Sequence, residues 1–561
     1  MQSIKSLTRL CHENENRRTA LNSPLRRIVL TACTFGPLSL LGTFGTISAG
    51  AQTPAIAGPV DTGSDHTPLL ATATDPTGTT IPAPPDAKKP AAPATPPAPV
   101  KKGYQFFLSE RLRDENYNWW PTDKANGAYN FAGSLLRFGV SRQTAQEDFL
   151  LELQNTTFIN LPTKAIASAP QGQLGLGATY FASNGSQVAS LFPHQLYFRF
   201  KDPTLPGQAL KLGRFEYSDG NETTAADPAL AWLKKNRIAE RLIGSFGYSD
   251  VGRSFDGFEF SANRKGSNLT LLGAFPTRGV FDLNGSDTLT DVRLASLSLT
   301  KSLPGKRSVG EGRLFAVYYE DHRNDVKTDN RPAAVRATDK KPIRIATLGG
   351  NYLRVQDVGA GKLDTLLWYA GQFGQWGAQH QGAYAVAAEV GYQLPKVALK
   401  PWFRAGYYLG SGDGNTGNNQ HGTFFPILPT PRIYARDPFY NEANLQDLFF
   451  QVILRTAPKH GMTAPLFTIR SDVHSLHLAD SSDLWYGGGG AYNNSVFGYN
   501  GRTSSGKSSL ATLIDLSVDY APAKSMTVTA YLSYANGGNV ISSLYKSRDS
   551  VFSYLELNYR Y

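Results

Sequence analysis

The chain has 561 residues, 41% of them hydrophobic and only 18% charged, with a formal net charge of +11; soluble globular domains carry nearer ~25% charged residues. Both cysteines, Cys11 and Cys33, lie close to the N-terminus, so the rest of the chain has no disulfide and no thiolate metal site. Beyond the N-terminus no run approaches ~18 consecutive apolar residues, which excludes a helical membrane protein.

Arg17, Arg18, Arg26 and Arg27 precede an apolar stretch, Ile28 to Ile47, which ends in Ala49-Gly50-Ala51 before Gln52. A basic leader, an apolar region and a small-x-small cleavage pattern predict a secretory signal peptide over residues 1–51. Leu30-Thr31-Ala32-Cys33 has the form of a lipoprotein box, but too few apolar residues separate it from Arg27 to make a hydrophobic region. Residues 52–103 hold twelve of the 34 prolines and no aromatic residue. Such a segment cannot bury enough apolar area to offset its conformational entropy, so it reads as a disordered spacer leading from the periplasm.

From Tyr104 onward the pattern has period 2. Leu196, Phe198 and Phe200 alternate with Gln195, Tyr197, Arg199 and Lys201; Phe258, Phe260 and Ala262 alternate with Gly257, Glu259 and Ser261. Leu399, Phe403, Ala405 and Tyr407 alternate with Lys400, Trp402, Arg404 and Gly406, and Phe450, Val452 and Leu454 with Gln451, Ile453 and Arg455. Successive strand side chains point to opposite faces, so each segment offers one face to lipid and one to water. The last strand ends on an aromatic, with Leu555, Leu557, Tyr559 and Tyr561 on one face. That ending resembles the signal read by the barrel assembly machinery, and this strand must close against the first, because lipid cannot satisfy a free edge. Exported, disulfide-free and alternating, residues 104–561 read as an all-β chain, an outer-membrane antiparallel β-barrel. At ~10 residues per strand plus turns and loops it has roughly 16 to 18 strands, with 18 favoured.

Two places depart from the pattern. Glu110 falls on the face of Phe106, Leu108 and Leu112, where a carboxylate is costly unless it sits near an interface or the register slips. Asp227 before Pro228 is a helix start, and Leu230, Leu233, Arg237, Ile238 and Arg241 recur at helical spacing, predicting a loop helix over 227–243 that folds over or into the pore.

Gly213-Arg214-Phe215-Glu216-Tyr217, Arg241-Leu242-Ile243-Gly244 and Arg253-Ser254-Phe255-Asp256-Gly257 follow in an order that resembles the alginate-export family of outer-membrane barrels. Ser411-Gly412-Asp413-Gly414, Phe424-Phe425-Pro426 and the close from Leu513 to Tyr561 look similar too. The resemblance implies an eighteen-stranded barrel whose arginine-rich lumen passes an anionic polysaccharide or smaller solutes. The Pro/Ala segment is not part of that pattern.

Independently of the family, Arg111, Arg113, Arg137, Arg199, Lys201, Arg214, Arg253, Arg344, Lys400, Arg404, Arg455 and Arg470 fall opposite the apolar stripes. Glu152, Glu216, Glu259, Glu389, Asp472, Asp515 and Asp519 share those faces. With Arg241 and Asp256 these cations and Glu216 make the predicted pore lining; a surplus of fixed cations in an aqueous bore attracts anions, and Arg matches a carboxylate in two-point contact. Replacing Arg214 and Arg404 together by Gln is expected to move ion preference toward cations.

Other motifs fail on context. Gly501-Arg502-Thr503-Ser504-Ser505-Gly506-Lys507-Ser508 fits the P-loop expression, but residues 510–519 alternate as a strand where a helix is required. His474 and His477, with Asp472 and Asp480 nearby, invite a metal reading, yet residues three apart on a strand face opposite sides and cannot share an ion. Asp413-Gly414-Asn415 begins like a calcium loop, but Gly417 stands where a ligand belongs. No nucleophile elbow appears, and nothing points to a cofactor, nucleic acid or catalysis. The expected function is a passive outer-membrane channel for anionic polysaccharide or smaller anions; a general or sugar-selective uptake porin and a non-conducting envelope barrel are the alternatives.

Overall fold

The computed structural model describes residues 103–202, 204–430 and 432–561. The expected leader, the Cys33 motif and the Pro/Ala segment up to residue 102 lie outside the described residues. Residues 202–206 form a unit apart, and the other described residues belong to a single body.

That body is a closed antiparallel barrel of 18 strands. Its wall begins with β1 (Tyr104–Asn118), β2 (Ala128–Gln143), β3 (Glu147–Ile159), β4 (Ala189–Lys201), β5 (Gln208–Phe215), β6 (Phe255–Arg264) and β7 (Ser267–Pro276). It continues through β8 (Val292–Ser302), β9 (Ser308–Asp321), β10 (Ile343–Val358), β11 (Gly361–Trp376), β12 (Gln379–Gln393) and β13 (Trp402–Gly410). After the two-residue β14 (Gln420–His421), which lies parallel to β12, come β15 (Leu445–Arg455) and β16 (Phe467–His477). A separate hairpin of β17 (Leu484–Gly488) and β18 (Tyr499–Thr503) precedes β19 (Ser509–Ala523), β20 (Met526–Gly537) and β21 (Asp549–Arg560).

Closure is made by β21 on β1, from Ser109 opposite Arg560 to Asn118 opposite Val551. The final residue takes part, since the Tyr561 N–H donates to the Leu108 carbonyl at 2.8 Å and the Leu108 N–H donates back at 3.2 Å. No strand edge is left for the bilayer, where an unpaired amide has no water to bond. No described helix is long and apolar enough to cross a membrane.

One barrel end carries tight turns, such as 265–266, 359–360 and 524–525, and the other carries the long segments 160–188, 216–254, 411–444 and 478–508. The outer face is apolar: Phe106, Leu196, Phe198, Leu314, Leu367, Phe403, Leu448, Phe450 and Leu555 are all exposed. The alternate positions are buried, because the bore is filled rather than open. Glu110 points outward with no slip in register, and its Oε1 accepts from the Ser134 hydroxyl at 2.7 Å. In the family-like stretch at Gly213, φ is +123° and a Cβ would stand 2.3 Å from the Leu196 carbonyl, so only glycine fits there.

Candidate functional site

The bore is filled chiefly by segment 216–254. It leaves β5 at the loop end and descends inside the wall. Asp227 caps α2 (Pro228–Leu233) by accepting from the N–H groups of Ala229 and Leu230, at 2.9 and 3.0 Å, with Pro228 opening the first turn. α1 (Leu176–Asn184) precedes it in segment 160–188. The helical stretch is shorter than the sequence predicts: α2 runs into a π-helical turn, Lys234–Ile238, and stops there. Glu240 takes φ +63°, a left-handed conformation that ends a helix.

α2 lies deep in the bore, near the turn end. Asp227 pairs with Lys362, the second residue of β11, at 2.9 Å, and Trp232 packs on Trp402, the first of β13, at 4.8 Å between ring centroids. Lys234 reaches Glu311 at 2.8 Å. Beyond it, Arg237 (3.3 Å) and Arg404 (2.7 Å) converge on Glu389, and Arg241 pairs with Glu442 at 3.2 Å. Arg404 also holds Asp364. The three arginines face the three carboxylates Asp364, Glu389 and Glu442, so this buried knot is charge-balanced, as such burial requires. Trp368, Tyr434 and Phe449 stack on its guanidinium faces.

The strand arginines grip the same segment. Arg111 donates to the carbonyls of Gly247 (2.7 Å) and Ser249 (2.6 Å) and to Asp250 at 2.8 Å. Arg113 bonds Glu556 and the Tyr248 carbonyl, and Arg137 pairs with Glu216 at 2.9 Å. Arg253 donates to the carbonyls of Gly489 and Ala491 in segment 478–508. Arg199, 3.7 Å from Asp148, and Arg455, whose guanidinium lies 4.9 Å over the Trp402 ring, point inward near the turn end, and Arg470 pairs with Asp472 at 3.0 Å.

Four of the residues expected in the lumen are elsewhere. Arg214 lies opposite Leu196, which is exposed to the outside, and forks onto Asp256 at 2.7 and 2.8 Å, so both sit on the outer face at the loop end. Arg344 also faces outward, paired with Glu320 at 2.8 Å beside exposed Tyr318. The cause is register: each falls on the parity of lipid-facing neighbours, at rim height where an ion pair meets water. Lys400 is not in a strand at all; it occupies a turn with φ +44°.

Among the cavities left in the bore are two that meet at 245–248 and 430–439. The larger, about 600 Å³, is lined by wall residues near the turn end (Thr468, Asp519, Thr527) and by segment 216–254. Its ionisable lining holds the bases Arg111, Arg113, Lys234, Lys235 and Arg436 and the acids Glu216, Glu240, Asp519 and Glu556. The smaller, about 60 Å³, lies among the loops at Trp119, Phe281, Tyr492 and Arg502. Stretches 245–248 and 430–439 line both and so form the partition between them.

Arg432 and Arg436 stand on that partition, each only half-buried. Arg432 lies over the Tyr248 ring at 5.0 Å, and Arg436 donates to the Tyr554 hydroxyl at 2.6 Å. Among the described residues neither has a carboxylate oxygen within 4 Å. Burial alone would lower the Arg436 guanidinium, but Tyr554, Asp519 and Glu556 outweigh it and hold the group above its ordinary value. Burial, reinforced by Glu216 and opposed by Arg253, pushes the Glu240 carboxyl up to about 8. Strand-face reasoning missed both arginines because they sit in a long loop; the signal was two arginines four apart in the Pro-bounded stretch Pro429–Pro438. The P-loop-like run is followed by strand β19 rather than a helix, which removes the phosphate cradle.

Comparison with known proteins gives a family match and distantly similar solved structures. The family model described as alginate export matches residues 194–547. No curated protein sequence matches the chain. Among solved structures, Pseudomonas aeruginosa OccK11 (OpdR) is similar at 12% identity, with 82% of this chain and 98% of that one covered and a TM-score of 0.46. Acinetobacter baumannii OccAB4 is similar at 9% identity, with coverage of 82% and 98% and a TM-score of 0.47. Pseudomonas putida OprB is similar at 11% identity, with coverage of 82% and 94% and a TM-score of 0.45. The chain belongs to the alginate export family, a non-enzymatic channel barrel of the bacterial outer membrane.

Proposed function

We propose that the barrel is a passive conduit for small anionic solutes, selected at the partition by Arg432 and Arg436. The carrying observation is that these two cations are only partly buried between both cavities and, among the described residues, make no ion pair within 4 Å, whereas Arg111, Arg113, Arg137 and Arg404 are engaged in holding the fold. A guanidinium offers a two-point match to a carboxylate, and a vestibule of about 600 Å³ suits a solute of sugar-acid size. Passage of an anionic polysaccharide, the reading favoured by the family's description, requires segment 216–254 or 411–444 to swing out of the bore.

In this reading the long segments face the cell exterior and the tight turns the periplasm, as in other outer-membrane barrels. Residues 1–51 are removed on export, 52–103 form a periplasmic spacer, and Tyr561 presents the assembly signal. Planar-bilayer recording of the purified barrel under a potassium chloride gradient tests the function. A reversal potential on the anion side supports it, a cation-side or zero potential refutes anion selection, and silence refutes conduction.

A further inference from the structure

Two wall strands bring together a cluster that the conduit does not use. Asp472 on β16 lies directly opposite Asp515 on β19, and His474 follows Asp472 on the same inward face. Each is about 1% exposed. One ligand atom from each residue can be chosen such that all three lie within 4.8 Å of one another, and His474 Nε2 is 3.7 Å from Asp515 Oδ2. Asp472 Oδ2, His474 Nε2 and Asp515 Oδ2 are buried without a hydrogen-bond partner.

The remaining atoms of the same side chains are tied. Gln451 donates to Asp472 Oδ1 and the Tyr531 hydroxyl to Asp515 Oδ1. Asp447 sits 3.0 Å from His474 Nδ1, which makes Nδ1 the protonated nitrogen and turns the Nε2 lone pair toward the two aspartates. Arg470 Nε stands 3.0 Å from Asp472 Oδ2, at an angle that makes no hydrogen bond. With His474 neutral, carboxylates Asp447, Asp472 and Asp515 outnumber the cations beside them, Arg470 at 3.0 Å from Asp472 and Arg237 beyond it, a deficit that a dication offsets.

We propose that Asp472, His474 and Asp515 form a binding site for a transition-metal dication of the zinc class. Two ligands each ~2.1 Å from a tetrahedral ion stand ~3.4 Å apart, close to the observed 3.7 Å. One nitrogen and two carboxylates suit zinc better than calcium, which takes 6–8 oxygens. Asp447 is the outer carboxylate that orients a metal-binding imidazole. It also accepts from the Tyr440 hydroxyl at 2.9 Å, so the ion would fasten segment 411–444, which carries Arg432 and Arg436, to the wall.

The test uses the full barrel in detergent micelles, stripped with a chelator and titrated with zinc chloride. One zinc per chain is expected by calorimetry and metal analysis, with at least tenfold weaker binding in His474→Gln and in Asp515→Asn. The outward-facing His477→Gln should bind as the unaltered protein does. Zinc should raise the temperature at which the folded barrel is lost in the unaltered protein and leave His474→Gln unmoved. Cobalt loaded into the unaltered protein should give the intense visible bands of a four- or five-coordinate ion, a readout independent of whether any variant folds. Weak pink hexa-aqua cobalt alone, zinc uptake no tighter than nonspecific surface binding, or His474→Gln matching the unaltered protein would overturn the proposal.

Discussion

Replacing both Arg432 and Arg436 by Gln removes two positive charges from the partition while leaving the buried ion pairs of segment 216–254 untouched. A unit charge ~6 Å from a guanidinium in water interacts with it by ~0.7 kcal/mol. The pair therefore favours an anion by about 1.4 kcal/mol and disfavours a cation equally, about 2.8 kcal/mol between them. At ~0.1 M salt the Debye length is ~10 Å, which roughly halves that difference. The expected outcome is a fall of about tenfold in the anion-to-cation permeability ratio, since ~1.4 kcal/mol is one factor of ten. Reversal potentials in planar bilayers measure it directly. The matched control is Arg214→Gln with Asp256→Asn, a pair on the outer face, which should leave the ratio unchanged. A double variant whose ratio stays within twofold of the unaltered barrel, or a control that shifts as much as the test, would refute the reasoning.

Glu240, pushed up to about 8, is neutral at pH 7 and charged at pH 9, so anion preference should decline across that interval; Glu240→Gln should flatten the profile in the same bilayer assay. Asp483, in the segment before β17, is raised to about 6 by burial, against hydrogen bonds from Thr423, Tyr486 and two backbone N–H groups. Its folded value lies above its unfolded one, so its stabilising effect is complete below the ordinary carboxylate range and is lost as pH rises through about 6. Amide exchange in 411–444 and 478–508 should thus be slower at pH 5 than intrinsic rates predict from pH 7.5, and Asp483→Asn should remove the difference. Arg404→Gln leaves Asp364 and Glu389 without their shared arginine and should destabilise the barrel by ~3–5 kcal/mol in urea unfolding, far more than Arg344→Gln at the outer rim.

The wall was legible because lipid imposes a strict rule on each strand. The alternation through β4, β6, β15 and β21 and the aromatic close at Tyr561 required only that one face be apolar. Parity alone, however, does not tell lumen from rim. Arg214 and Arg344 are polar residues on outward positions, tolerated where the wall rises above the apolar band and a carboxylate on the next strand pairs with them. Strand spacing likewise could not disclose the metal-site geometry, because His474 and Asp515 are brought together by cross-strand register, and register is fixed only when the barrel closes.

Counting lumen arginines overstates the field a solute meets. The bore of this eighteen-stranded barrel is largely filled, and the filler is a polar loop whose descent buries carbonyls and carboxylates inside the wall. Arg111, Arg113 and Arg137 satisfy those groups where water cannot, and Arg253 ties the same loop to the next one. Arg111, Arg113 and Arg137 are neutralised by Asp250, Glu556 and Glu216, while Arg253 is spent on carbonyls. Among the described residues, the inward cations without a carboxylate oxygen within 4 Å include Arg455, over the Trp402 ring near the turn end, and Arg432 and Arg436, which lie where the two cavities meet. Selectivity in such a barrel is therefore decided by which cations the inward loop leaves unneutralised, so a substitution that withdraws the loop should alter pore size and ion preference together.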